Sequence, residues 1–161
     1  MVPCSRRVAL GLMAATLALS ACARAEPEAG QYLVARSTPL YPNETPELRR
    51  LIVAAAREND VPVELVQRVI LRESTHRPDA RNGPYYGLMQ ILPATARTMG
   101  FRGQPADLLD AETNLRYAVR YLRGAWLLAD GSHDRAVMWY ARGYYYEAKR
   151  RGMLRETGLR A

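Results

Sequence analysis

The sequence predicts an all-α domain over residues 45–155. Apolar residues recur at helical spacing through successive segments, and those segments begin or end at capping residues, Pro or Gly. No stretch alternates apolar and polar residues long enough to make a useful strand pair. With 161 residues, 48% of them apolar and 24% charged, the chain can build one core, and wholesale disorder is excluded.

The elements follow in order. Thr45-Pro46-Glu47 starts the first helix, with a hydroxyl at the N-cap and Pro at the first helical position. Leu48, Leu51, Ile52, Ala55 and Ala56 form its apolar stripe, and Asn59-Asp60 and Pro62 end it. A second helix runs from about Val63, with Val66, Val69, Ile70 and Glu73 on one face. A loop with Pro78, Asn82, Gly83 and Pro84 follows, then a short helix from Pro93 to Gly100. Asp110 caps the next helix, striped by Leu115, Ala118, Val119, Leu122 and Trp126. Gly131-Ser132 separates it from a helix through Ala136, Val137 and Tyr140. Gly143 interrupts, and Tyr145–Arg151 is helical again. Residues 156–161 are left as a tail.

Ahead of the domain, Arg6 and Arg7 precede an uncharged apolar run, Val8–Leu19, of 12 residues against the ~20 that span a bilayer. A positive start, a short apolar stretch and small residues make residues 1–21 a secretory signal peptide. Leu19-Ser20-Ala21-Cys22 resembles the lipobox of bacterial lipoproteins, and that resemblance makes Cys22 the first mature residue and a lipidation site. Acyl chains on Cys22, at roughly 0.8 kcal/mol per buried CH₂, would anchor a soluble domain to a membrane. Ala23-Arg24-Ala25 before Glu26 offers a second cleavage site that would release it. Residues 22–44, with Pro27, Pro39 and Pro42 and no sustained periodicity, read as a tether.

Net charge is 23 − 16 = +7, and loss of Arg6 and Arg7 leaves +5. That balance favours polyanionic partners such as an acidic cell-wall polymer. Two cysteines and two histidines exclude a disulfide framework and a Cys/His zinc cluster. No metal or other cofactor is expected, and export argues against a nucleic-acid partner.

Glu73 is the residue with chemistry in its position. It continues an apolar stripe and sits where its helix ends, and both desolvation and the helix dipole raise a carboxyl pKa there. A carboxyl kept protonated near neutral pH suits a general acid. A frayed helix end, with Glu73 paired to Arg72 or Arg77 in solvent, is the alternative from this feature alone.

Glu73-Ser74, then Gly87-Leu88-Met89-Gln90-Ile91-Leu92-Pro93, Thr95-Ala96 and Gly100, resembles the lytic transglycosylase domain of the goose-type lysozyme superfamily. Asp107-Leu108, Asn114, Tyr121-Leu122 and Tyr140 extend the likeness over roughly residues 50–150. The resemblance implies a lysozyme-like helical domain with a cleft for peptidoglycan strands; the export signal places it in the periplasm, and a monomer is expected. It implies Glu73 as the catalytic residue and Ser74, Gly87, Met89, Gln90 and Tyr140 as substrate-binding residues. Gly87 would let backbone approach a sugar, and Gln90 offers an acceptor and two donors. Met89 is an adaptable cleft wall or plain core. Ser74 bonds the substrate or the Glu73 carboxylate, or only helps end its helix. His76 reads as a loop residue, His133 as an exposed helix start, and Tyr117 as packing. Arg77-Pro78 replaces the family's Asn-Pro, Tyr85-Tyr86 replaces small residues, and Ala141 stands where the family has Asn after Tyr140.

Glycoside hydrolysis normally needs two carboxylates about 5 to 9.5 Å apart. Asp79 reads as a salt-bridging loop residue and Asp110 as a cap, so Glu73 is the one convincing carboxyl. A single carboxyl fits lytic transglycosylation, in which the C6 hydroxyl of the muramic acid replaces water. A water-using muramidase and a non-catalytic glycan-binding envelope lipoprotein are the rival readings.

Overall fold

A computed structural model of the chain describes residues 38–160. The signal peptide of residues 1–21, the Cys22 lipidation site and residues 23–37 of the tether lie outside them. Among the described residues there are six α-helices: α1 (Pro46–Glu58), α2 (Val63–Glu73), α3 (Pro93–Thr98), α4 (Ala111–Leu127), α5 (His133–Arg142) and α6 (Tyr145–Arg150). A 3₁₀ turn spans Pro105–Leu109, and β1 (Arg81–Asn82) pairs antiparallel with β2 (Tyr85–Tyr86) across Gly83-Pro84. This is the expected all-α, lysozyme-like architecture. Among the described residues no helix is long and apolar enough to cross a membrane.

The helix boundaries have local causes. Thr45 Oγ1 accepts the Leu48 N–H at 3.1 Å, and Asp110 accepts the Thr113 N–H at 2.8 Å. Ser132 caps α5 through the Arg135 N–H. Helix α4 lies at the centre, with α1, α3, α5 and the 3₁₀ turn against it, and α2 packs on α1 and α5. Ile52, Val66, Ile70, Leu115, Val119 and Leu122 are fully or almost fully buried between them. The 3₁₀ turn was not anticipated; it is locked by a reciprocal cap in which the Gln104 N–H donates to Asp107 Oδ2 at 2.8 Å.

Both ends of the domain reach further than the sequence suggests. Residues 38–44, read as the last part of a tether, are packed in place. Arg49 bonds the carbonyls of Thr38 and Pro39, and Asn43 bonds the carbonyl of Thr75. Buried Glu44 is ion-paired with Arg49 at 2.6 Å. A periodicity test misses this segment because polar bonds rather than an apolar stripe hold it. Two of the residues expected in a tail are packed too. Thr157 is 2% exposed and bonds the Met153 carbonyl, and Leu159 packs on the core.

Candidate active site

Helix α2 carries Val66, Val69 and Ile70 into the core and ends at Glu73. The stripe places Glu73 at the rim of the core, where its side chain is 24% exposed. Burial raises its pKa, and Arg72, whose Nε is 3.6 Å from Oε1, partly counters that. Glu73 is thus a half-buried carboxyl with one cation beside it and one side open to solvent.

The wall behind it comes from the Gly87–Ile91 stretch. Asn114, fully buried on α4, holds that stretch. Its Oδ1 accepts the Met89 N–H at 3.0 Å, and its Nδ2 donates to the carbonyls of Tyr86 and Leu108, each at 2.8 Å. Gly87, at φ +73, is glycine for that reason: a Cβ there would collide with the Asn114 side chain and the Leu108 carbonyl. The close approach is to the protein's own interior. Tyr140, on the last turn of α5, donates its hydroxyl to the Met89 carbonyl at 2.8 Å. Burial pushes the Tyr140 phenol well above its ordinary range, and the Glu73 carboxylate pushes it further. Tyr121 packs edge-on to Tyr140 at 5.5 Å and stacks on Tyr144 at 4.6 Å, and burial raises its phenol to about 12.

The structure therefore gives several predicted substrate-binding side chains other partners. Ser74 is buried, and its hydroxyl donates to the Leu88 carbonyl at 2.7 Å, tying the end of α2 to the wall. Met89 is wholly buried, so it belongs to the core. Both donors of Gln90 go to backbone, to the carbonyls of Ala80 (3.0 Å) and Gly87 (2.8 Å), and its φ is +48. Ser74, Gly87, Met89, Gln90 and Tyr140 shape and brace the wall that stands behind Glu73 rather than presenting free polar groups to solvent. His76 is in a loop as expected but is fully buried, and His133 starts α5 as expected but is half-buried against Trp126. Tyr117 packs edge-on to Phe101. Among the described residues, no cluster of three His, Cys, Asp or Glu side chains could hold a metal.

Sequence reasoning named Asn114 without a role and passed over Arg49 and Gln67. The latter two were findable: both are polar residues on the buried faces of amphipathic helices, Arg49 between Leu48 and Ile52, Gln67 between Val63 and Ile70.

Residues 50–153 match the Transglycosylase SLT domain. The chain belongs to the transglycosylase SLT domain family. No curated protein and no solved structure matches it. Members of the SLT family are lytic transglycosylases acting on peptidoglycan, so glycan strands of that polymer are the partner the domain implies. The matched span includes Glu73, the Gly87–Ile91 wall, Asn114 and Tyr140, and it begins after residues 38–44.

Proposed function

We propose that the chain is a peptidoglycan lytic transglycosylase in which Glu73 alone serves as acid and then as base. Protonated Glu73 donates to the oxygen of the β-1,4 bond between N-acetylmuramic acid and N-acetylglucosamine. The bond from that oxygen to C1 of the muramic acid breaks, leaving an oxocarbenium-like centre. The Glu73 carboxylate then removes the proton of the C6 hydroxyl of the same sugar, and O6 bonds to C1. The product is a 1,6-anhydro end, with no water consumed and no cofactor required. The observation that carries this reading is the half-buried Glu73 carboxyl with its raised pKa, which favours the protonated form that the first step needs.

We further propose that the protein acts as a monomer in the periplasm, anchored by acyl chains on Cys22. Membrane fractionation tests the anchor: unaltered chain recovered in the soluble periplasm with Glu26 at its N-terminus would refute it.

The decisive experiment is mass analysis of sugars released from purified wall. The unaltered chain should release muropeptides one water lighter than hydrolytic products. Glu73→Gln, nearly isosteric, should fold and lose about 10²- to 10⁴-fold in rate, the usual share of general acid–base catalysis. Reducing ends as the main product would make the enzyme a muramidase. Wall binding without release by either protein would make it a glycan-binding lipoprotein.

A further inference from the structure

The packed segment 38–44 is tied to the turn that follows Glu73. Its anchor is Glu44, whose side chain is fully enclosed opposite Arg49. The two Glu44 oxygens accept from Arg49 Nε and Nη2 (2.6 Å each), Gln67 Nε2 (2.8 Å) and the Tyr41 N–H (2.9 Å). An ionised carboxylate only accepts, so Gln67 must turn its NH₂ toward Glu44 and its Oε1 away. That Oε1 lies 2.6 Å from His76 Nε2. His76 is therefore the donor: the chain of bonds that starts at Glu44 places a proton on Nε2, and burial, which lowers the His76 pKa, favours the neutral Nε2–H form. Its ring is fully buried and stacks on Tyr41 at 5.1 Å and 10°.

Thr75 and His76 both adopt positive φ, 53° and 60°. Side chains other than glycine stay in that conformation only when their surroundings hold them. Here the Thr75 N–H donates to the Ile70 carbonyl at 3.0 Å and Gln67 bonds His76, and the segment adds two further holds: Asn43 Nδ2 donates to the Thr75 carbonyl at 3.0 Å, and Tyr41 covers His76. Glu73 stands two residues before Thr75, and Ser74 between them is locked to the wall.

We propose that residues 38–44 are a strap that positions the acid: Asn43 and Tyr41 hold the left-handed turn Thr75–His76 and so fix where α2 ends and where the Glu73 carboxyl stands. Asn43 and Tyr41 are positioning residues that act through that turn. The proposal rests on Glu73 being the general acid. It adds to the family's matched span a segment that lies before it.

The test uses the full chain with Asn43→Ala, Tyr41→Ala and, as a stability control, Leu128→Ala, a core truncation where α4 ends. Two quantities are read at a temperature where all variants are folded. One is kcat and KM on purified wall glycan. The other is the protonation midpoint of the Glu73 side chain by carbon NMR. Small displacements of a catalytic group are costly, so both strap variants should lose about tenfold in kcat with KM little changed. The Glu73 midpoint should move in both and stay put in Leu128→Ala, even though Leu128→Ala loses more stability. Wild-type kcat and an unmoved midpoint in Asn43→Ala would overturn the proposal. Should Tyr41→Ala fail to fold, Asn43→Ala decides alone, because its bond is exposed and its loss does not open the core. Should the unaltered chain cleave nothing, the reading of Glu73 as acid fails, while the midpoint still reports whether the strap positions that carboxyl.

Discussion

Two turns leave the helices that carry the site, and they are built in opposite ways. Helix α5, with Tyr140 on its last turn, ends at Gly143, whose φ of 79° and ψ of 148° belong to a region that essentially only glycine occupies. Helix α2, with Glu73 on its last turn, ends through Ser74, Thr75 and His76, and the two left-handed residues are not glycines. The first turn is encoded where it occurs. The second is bonded locally, the Ser74 and Thr75 N–H groups both donating to the Ile70 carbonyl at 3.0 Å, and is further held by Asn43, Tyr41 and Gln67, residues 9 to 35 positions earlier in the chain. A turn that only glycine can adopt is marked in the sequence at the position where it occurs. A turn that also leans on distant partners responds when those partners are lost, which makes the Glu73 end of the site the more responsive one.

The largest stability effect should come from breaking the locally encoded turn. Gly143→Ala forces a side chain into glycine's territory, at about 1–3 kcal/mol of backbone strain, less the ~0.4–1 kcal/mol that the stiffer unfolded chain returns. Steric collision adds little, because the new Cβ would sit 3.7 Å from the Tyr121 hydroxyl, an ordinary contact. Urea unfolding should show a net loss of about 1–2 kcal/mol. A neutral result would mean that the end of α5 relaxes freely.

The same contrast decides what the sequence made legible. Features encoded within one turn were readable: the Thr45 and Asp110 caps, the Gly131-Ser132 and Gly143 breaks and the position of Glu73 on its stripe. The Gly87–Ile91 motif was readable as a pattern, but its role was not. Gly87 and Met89 look like residues facing a sugar until Asn114, more than 20 positions later, is seen to hold them. The strap was misread for the same reason. Pro39 and Pro42 and the lack of an apolar stripe say tether, while the bonds that dock it end on Arg49, Gln67 and Thr75. Local physics writes itself into spacing; polar contacts between distant segments do not.

The second prediction concerns pH. His76 is buried and neutral, facing Glu44 and Arg49 through Gln67 and lying under Tyr41. Desolvation lowers its pKa, Glu44 raises it and Arg49 lowers it, with a net fall. The unfolded chain therefore takes up a proton near the ordinary histidine pKa of about 6.5 while the folded chain does not. Stability should fall as pH drops below about 7, with a slope of at most ~1.4 kcal/mol per pH unit for that one proton. Glu44 adds to the loss at lower pH: burial raises its pKa, but bonds from Arg49, Gln67 and the Tyr41 N–H lower it further, so its contribution fades as its carboxylate protonates. Glu73 acts oppositely, since its raised pKa costs stability as pH rises through the carboxyl range. His76→Phe separates these terms: whatever its absolute stability, its profile between pH 7 and 5 should lose the histidine slope. An unchanged slope would show that His76 does not bear this proton difference.

The smallest effect should come from giving the α2 turn what the α5 turn already has. Thr75→Gly removes left-handed strain of roughly 1–2 kcal/mol. It adds about 0.5–1 kcal/mol of backbone entropy to the unfolded chain. It also loses the exposed contact of Thr75 Oγ1 with the Leu71 carbonyl, which at 3.5 Å is long for a hydrogen bond. These contributions nearly cancel, and urea unfolding should detect a change within about 0.5 kcal/mol of zero. The informative measurement is the pair with Asn43→Ala. Thr75 resists some alternative turns through its side chain, and glycine resists none, so the Asn43 bond should matter more to kcat when residue 75 is glycine. The double variant should therefore fall below the product of the two single effects. If Asn43→Ala lowers kcat by the same factor in both backgrounds, the strap does not act through the Thr75 turn, and the two ends of the site are less different than their backbones make them look.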